Sequence, residues 1–252
     1  MRRFDTRITI ATLGASAGAI SVARVFLGDA PDFHVETIPY PSFGTVPVHL
    51  VLGLVAGCLG IVYNRAIIGT VMVADRLHRL PVELRAALIG AVVGLIAWFA
   101  PGVVGGGDTI TQRTLSGGAE TGVMLSGVFL LRFGLGPLSY AAGTPGGLFA
   151  PILVLGSQSG FLFGSICEQW VPALSGHQTP LAIVGMAAFF TAVVRAPVTG
   201  IILVIEMTAS FTLLLPMLSA CFAAMVVTNL LGNAPIYDSL RERMLKKARM
   251  PE

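Results

Sequence analysis

The sequence predicts an all-α membrane protein. Hydrophobic residues make up 54% of the 252 positions and charged residues only 12%, whereas soluble domains carry about a quarter charged residues. Apolar runs of about the length needed to cross a bilayer recur along the chain. The basic residues stand between or beyond these runs, as in the cytoplasmic loops of membrane proteins. That placement also explains the net charge of +3 without a nucleic-acid partner.

The first run, Ile8–Leu27, follows Arg2, Arg3 and Arg7. Its length and the lack of an Ala-x-Ala site near Asp29 favour a retained helix over a cleaved signal peptide. Val46–Val73 is the second span. The loop between them holds Asp29, Asp32, Glu36, Pro31, Pro39, Pro41 and Pro47, with no Lys or Arg. Arg76, His78, Arg79 and Arg85 follow the second span, and Arg241, Arg243, Lys246, Lys247 and Arg249 fill the tail. The positive-inside rule therefore expects a cytoplasmic N-terminus, a cytoplasmic loop at 75–85 and a cytoplasmic C-terminus, in the cell (plasma or inner) membrane.

Ala86–Val104 is a third span, ending in Pro101-Gly102 and Gly105-Gly106-Gly107. Residues 108–121 are polar and read as a loop. Val123–Ala142 is a fourth span, interrupted by Arg132, and Leu148–Ile166 a fifth helix. Between these two lies Gly143-Thr144-Pro145-Gly146-Gly147-Leu148-Phe149-Ala150-Pro151. From Phe133 to Val194 the only formal charge is Glu168, so this break is expected at membrane depth. Irregular backbone is tolerated there only where it is buried in protein or lines a cavity. A helix starting after such a break directs free N–H groups and positive potential into the cavity, which suits a small anion.

Pro172 to Pro180 is a polar connection. Leu181–Val194 and Val198–Ile205 are each too short to span, and Arg195-Ala196-Pro197 separates them. Interrupted segments of this kind are the sequence pointer to broken helices at a transport site. Phe211–Leu231 spans fully, and Gly232-Asn233-Ala234-Pro235 turns into Ile236-Tyr237 and a basic amphipathic tail. No linker or repeat of solenoid type is visible, so one membrane domain is expected.

Cys58, Cys167 and Cys221 lack CxxC spacing and read as small buried hydrophobes, outside any disulfide frame. His34, His49, His78 and His177 are scattered. No metal site, cofactor or hydrolase triad is expected, and the chain is not read as an enzyme. Arg132 and Arg195 can attract anions, but snorkelling or pairing with helix C-termini is the commoner role. Glu206 ends an apolar segment, where an ionisable residue is a functional candidate by default; a structural hydrogen bond is the plainer reading.

Three segments, in order, carry a resemblance. Gly146-Gly147-Leu148-Phe149-Ala150-Pro151 resembles the GxFxP segment of the CLC chloride channel and chloride/proton antiporter family. Arg195-Ala196-Pro197-Val198-Thr199-Gly200-Ile201, followed by Glu206-Met207-Thr208, resembles the next family signature. Gly232-Asn233-Ala234-Pro235-Ile236-Tyr237 resembles the turn that presents the family's pore tyrosine. The resemblance implies a CLC-type inverted-repeat bundle of tilted and broken helices that transports chloride. It implies chloride ligands at the amides of Leu148 and Phe149 and the hydroxyl of Tyr237. Gly146, Gly147, Pro151, Arg195, Pro197 and Gly200 would shape and support the helix breaks. Dipoles of this kind bind an ion weakly enough to release it.

The family's front half carries a GSGIP-like segment with a pore serine and a GREGP-like segment with a gating glutamate, and neither string occurs here. By resemblance, residues 1–74 supply the last two helices of the first repeat, 75–231 the second repeat, and 232–252 the final pore helix and tail. Most of the first repeat is missing. The expectation is a voltage-gated-type CLC channel or transporter portion that does not conduct alone: a truncated product, or the rear piece of a split transporter whose front half is a separate polypeptide. The resemblance also implies a homodimer built on the two N-terminal helices and the helices near 198–231. Two alternatives stay open, a non-conducting partner of a full-length homologue and an unrelated broken-helix solute carrier. Channel and proton-coupled antiporter are equally open.

Overall fold

A computed structural model of the chain describes residues 6–28, 30–36, 38, 43–76, 81–117, 122–143, 146–170 and 176–248. Arg2, Arg3, Asp29, Pro39, Pro41, His78, Arg79, Thr144, Pro145, Pro172 and Arg249, used above, lie outside the described residues. Every regular element among the described residues is helical. The chain divides into two compact units, Met1–Asp32 and Phe33–Glu252.

The first unit holds α1 (Thr6–Leu27). Ile8, Leu13, Ile20 and Val25 are all more than half exposed. A helix that shows apolar side chains all round, at a length of 22 residues, suits a hydrocarbon environment.

The second unit is built around one buried helix. Its elements are α2 (Val46–Arg76), α3 (Val82–Phe99), α4 (Asp108–Leu115), α5 (Gly122–Ala141), α6 (Phe149–Trp170), α7 (Gln178–Val194), α8 (Pro197–Thr208), α9 (Leu214–Leu230) and α10 (Ile236–Ala248). In α7 every residue from Leu181 to Val193 is buried, and α2, α6, α8 and α9 pack around it. A helix apolar on all faces belongs at the centre of a bundle. Among the described residues, six helices are long and apolar enough to cross a membrane: α1, α2, α3, α5, α6 and the 211–230 segment that ends in α9.

Small residues set the helix spacing, since lipid tails supply no hydrophobic drive and close backbone contact must do so. A Cβ on Gly160 would stand 2.2 Å from the Leu181 carbonyl oxygen, and one on Gly185 2.5 Å from that of Gly156. Helices α6 and α7 therefore cross at backbone contact. Gly53 of α2 meets Ala220 of α9 in the same way.

The structure corrects three expectations. Residues 108–115 are helical rather than loop. Asp108 sits in the first turn of α4, where a carboxylate offsets the helix dipole, and Ile110, Thr111, Thr114 and Leu115 form its buried stripe against α6. Cys58 is exposed on α2, unlike the buried Cys221, because it shares the outer face with Val51, Leu54 and Val62. Glu206 is exposed on α8 and makes no hydrogen bond among the described residues, so the structural hydrogen bond read for it is not found.

The break between α7 and α8 lies at the residues the sequence marks. Arg195 takes a left-handed conformation, φ 65°, and Pro197 opens α8, where its missing N–H costs nothing. The Arg195 guanidinium donates to the Thr228 carbonyl at 2.6 Å, to the Asn233 carbonyl and to Asn229 Oδ1. It thus caps the carbonyl end of α9, the structural role weighed for it above.

Candidate functional site

Helix α6 starts at Phe149, and its first helical bond runs from the Ile152 N–H to the Leu148 carbonyl at 3.0 Å. The N–H groups of Leu148, Phe149 and Ala150 therefore have no partner within the helix. Pro151 follows without loss, because it has no N–H to leave unpaired. Gly146 and Gly147 are exposed, and a Cβ on either would meet nothing within 4 Å. The approach to the helix terminus is open at these two residues.

The break is held from one side by Tyr140 near the end of α5, whose hydroxyl donates to the Gly146 carbonyl at 2.8 Å. Leu148 is 1% exposed and anchors the segment in the core. Phe149 packs edge-on against Phe190 of α7 at 5.9 Å. Phe190 in turn leaves no room at Gly200, where a Cβ would stand 2.7 Å from its ring. Gly200 thus fixes Phe190, and Phe190 fixes the first residue of α6.

Tyr237 lies in the first turn of α10, half-exposed, beside the fully buried Ile236. The turn before it is tied from two directions. Asn64 of α2 donates to the Val193 carbonyl at 3.2 Å and to the Ala234 carbonyl at 3.4 Å, and Arg195 donates to the Asn233 carbonyl. The Arg195 motif therefore ties down the turn that carries Tyr237.

A cavity of about 250 Å³ opens beside the break, walled by Tyr63, Arg132, Gly136, Tyr140, Gly146 and Leu148 among others. Phe149 and Tyr237 are not in its wall. Arg132 is buried, not snorkelling, and donates to the carbonyls of Val103 at 2.8 Å, Gly105 at 3.0 Å and Gly106 at 3.1 Å. These carbonyls belong to the turn after α3, so Arg132 ties that turn to α5.

Sequence reasoning singled out Leu148, Phe149, Tyr237 and their supports, but missed Tyr63, Asn64 and Tyr140. The one available signal was a Tyr-Asn pair in the middle of the apolar run 46–73, since polar groups at membrane depth need partners. No group of three or more His, Cys, Asp or Glu able to hold a metal occurs among the described residues. With donors only, the terminus of α6 suits an anion.

The family model described as "Voltage gated chloride channel" matches residues 1–229. The H(+)/Cl(-) exchange transporter ClcA of Vibrio cholerae serotype O1 is 34% identical over 251 residues, covering 98% of this chain and 53% of that protein. The ClcA protein of Klebsiella pneumoniae strain 342 is 34% identical over 229 residues, covering 90% of this chain and 48% of its own length. Among solved structures, a slow cyanobacterial Cl−/H+ antiporter aligns with a TM-score of 0.82 at 31% identity, over 92% of this chain and 54% of that one. A CLC-type fluoride/proton antiporter shares the fold, with a TM-score of 0.67 at 17% identity over 82% of this chain and 50% of that one. The chain thus spans about half the length of these relatives.

Proposed function

The chain belongs to the voltage-gated chloride channel (CLC) family, and from that premise we propose that it provides one side of a chloride pathway through a membrane. It is a multi-pass, all-α membrane protein, and an unrelated solute carrier is no longer in play. The observation that carries the reading is the start of α6. Free N–H groups at Leu148 and Phe149 follow an open Gly146-Gly147 approach, and the Tyr237 phenol is the hydroxyl donor that the family resemblance adds. Transport is the activity named for the relatives, and the anion chemistry of this terminus supports carrying it over.

Each helix terminus supplies up to about 2 kcal/mol when partly buried, so several donors must converge to offset the dehydration of chloride. Tyr237 adds a hydroxyl donor. Removing it as Tyr237→Phe is expected to weaken chloride binding by roughly 1.5–3 kcal/mol, the worth of a hydrogen bond to a charged group, or about tenfold or more. Titration calorimetry of the purified protein with chloride reads this directly. Unchanged affinity would remove Tyr237 from the ligand set.

We further propose that the chain does not conduct alone. Tyr237 is 47% exposed and Gly146 and Gly147 are open, so the described walls do not enclose an ion. The proposal includes a cytoplasmic C-terminus, a homodimer using the exposed apolar faces of α8 and α9, and a separate polypeptide closing the site. Reconstituted by itself in liposomes, the chain should give no chloride flux above protein-free vesicles. A protein-dependent, chloride-selective flux would overturn this. Co-purification with a full-length homologue, without independent flux, would favour the partner role instead.

A further inference from the structure

The cavity beside α6 carries two groups that the α6–Tyr237 site does not use. Tyr63 is 0% exposed, and its hydroxyl has no hydrogen-bond partner. The ring is clamped by Phe133 at 5.1 Å and Phe189 at 5.8 Å, so the hydroxyl cannot swing away to find one. Gly136 makes room for it, since a Cβ there would stand 2.3 Å from the oxygen. A buried hydroxyl without a partner is unfavourable and calls for an acceptor. Arg132 lines the same cavity at 7% exposure. Three of its N–H groups go to carbonyls, out of five donors on a guanidinium, and it is in no ion pair among the described residues.

We propose that this cavity is a second anion site, in which the Tyr63 hydroxyl and the Arg132 guanidinium hold a small monovalent anion such as a halide. The carbonyls of Val103, Gly105 and Gly106 each accept from Arg132 and that of Gly146 accepts from Tyr140, and no carboxylate is among the residues lining the cavity. A water would satisfy Tyr63 but leave the buried guanidinium charge without a counter-ion. Asp108 interacts electrostatically with Arg132, yet it is exposed at the start of α4 and is not in the cavity wall. The volume of about 250 Å³ admits a halide with part of its hydration shell. The inference deepens the transport reading and rests on the same class of ion being the ligand.

Bromide serves as the probe, since its anomalous scattering locates it in crystals of the purified protein. A peak between Tyr63 and Arg132 is expected, separate from any peak at Phe149 and Tyr237. The isosteric Tyr63→Phe should abolish the cavity peak and leave the other, and it should cut the rise in Tm that bromide is expected to produce at low salt. Because that substitution removes only an unpartnered oxygen, a merely structural Tyr63 would leave stability equal or higher and the bromide response unchanged, which would overturn the proposal. Bromide at Phe149 and Tyr237 alone refutes this inference and leaves the transport reading standing. Bromide in the cavity alone supports the inference and refutes the Tyr237 assignment. Bromide at neither position refutes both.

Discussion

Gly160→Ala tests the packing that positions the α6 terminus. The added Cβ would meet the Leu181 carbonyl oxygen at 2.2 Å, the Ala182 Cα at 2.9 Å and the Leu181 carbonyl carbon at 2.9 Å, where ordinary contact starts at 3.4 Å. All three are backbone atoms of α7, so no side-chain rotation relieves the clash. The two helices must part by about 1 Å, and a gap of that size forfeits a quarter to a half of each dispersion contact along the crossing. Overpacking costs about 1–3 kcal/mol, and this site belongs at the upper end because only rigid elements can yield. Gly90→Ala on α3 is the control, since a Cβ there meets nothing within 4 Å; it should be neutral or stabilise by up to about 1 kcal/mol through helix propensity. Unfolding in mixed micelles, followed by circular dichroism, measures both variants. If the two differ by less than about 0.5 kcal/mol, the backbone-contact account of the α6–α7 crossing is wrong.

Arg195→Gly sets two effects against each other: glycine relieves the left-handed backbone by about 1–2 kcal/mol, whereas three charge-assisted hydrogen bonds at about 1.5–3 kcal/mol each are lost. The bonds win, so the same micelle assay should show net destabilisation of about 2 kcal/mol or more, and a stabilised variant would contradict the network. Asn64→Leu removes two long hydrogen bonds but also a buried Oδ1 without a partner; stability should stay within about 1 kcal/mol while chloride affinity falls, because the turn before Tyr237 loses a tether. Unaltered affinity in calorimetry would show that Asn64 does not position that turn. Arg243→Ala breaks the 2.7 Å ion pair with Asp75, whose partners are partly exposed, and should cost less than about 1 kcal/mol in thermal unfolding; a larger loss would give α10 docking more weight than its charges suggest.

Most spans were legible because hydropathy and length are local properties. The breaks were legible too: Gly146-Gly147 before α6 and Arg195-Ala196-Pro197 between α7 and α8 are punctuated by residues that cannot continue a helix. Residues 108–115 were misread because a short amphipathic helix among apolar spans looks polar on average; only the Ile110, Thr111, Thr114, Leu115 spacing betrays it. The carbonyl partners of Arg132 and Arg195 could be named as a type but not as residues.

By itself, the sequence determined the membrane-spanning class, the places where helices stop and the family, since each depends on the order of residues within a short window. Tertiary structure alone decided that Tyr63 has a buried, unpartnered hydroxyl. It also decided that Tyr140 holds Gly146, and that Asn64 ties residues 129 and 170 positions away to one side chain. Those facts depend on which helix faces meet and how closely, and glycine crossings such as Gly160 on Leu181 set that distance. A pattern of small residues permits close approach without saying which helix will make it.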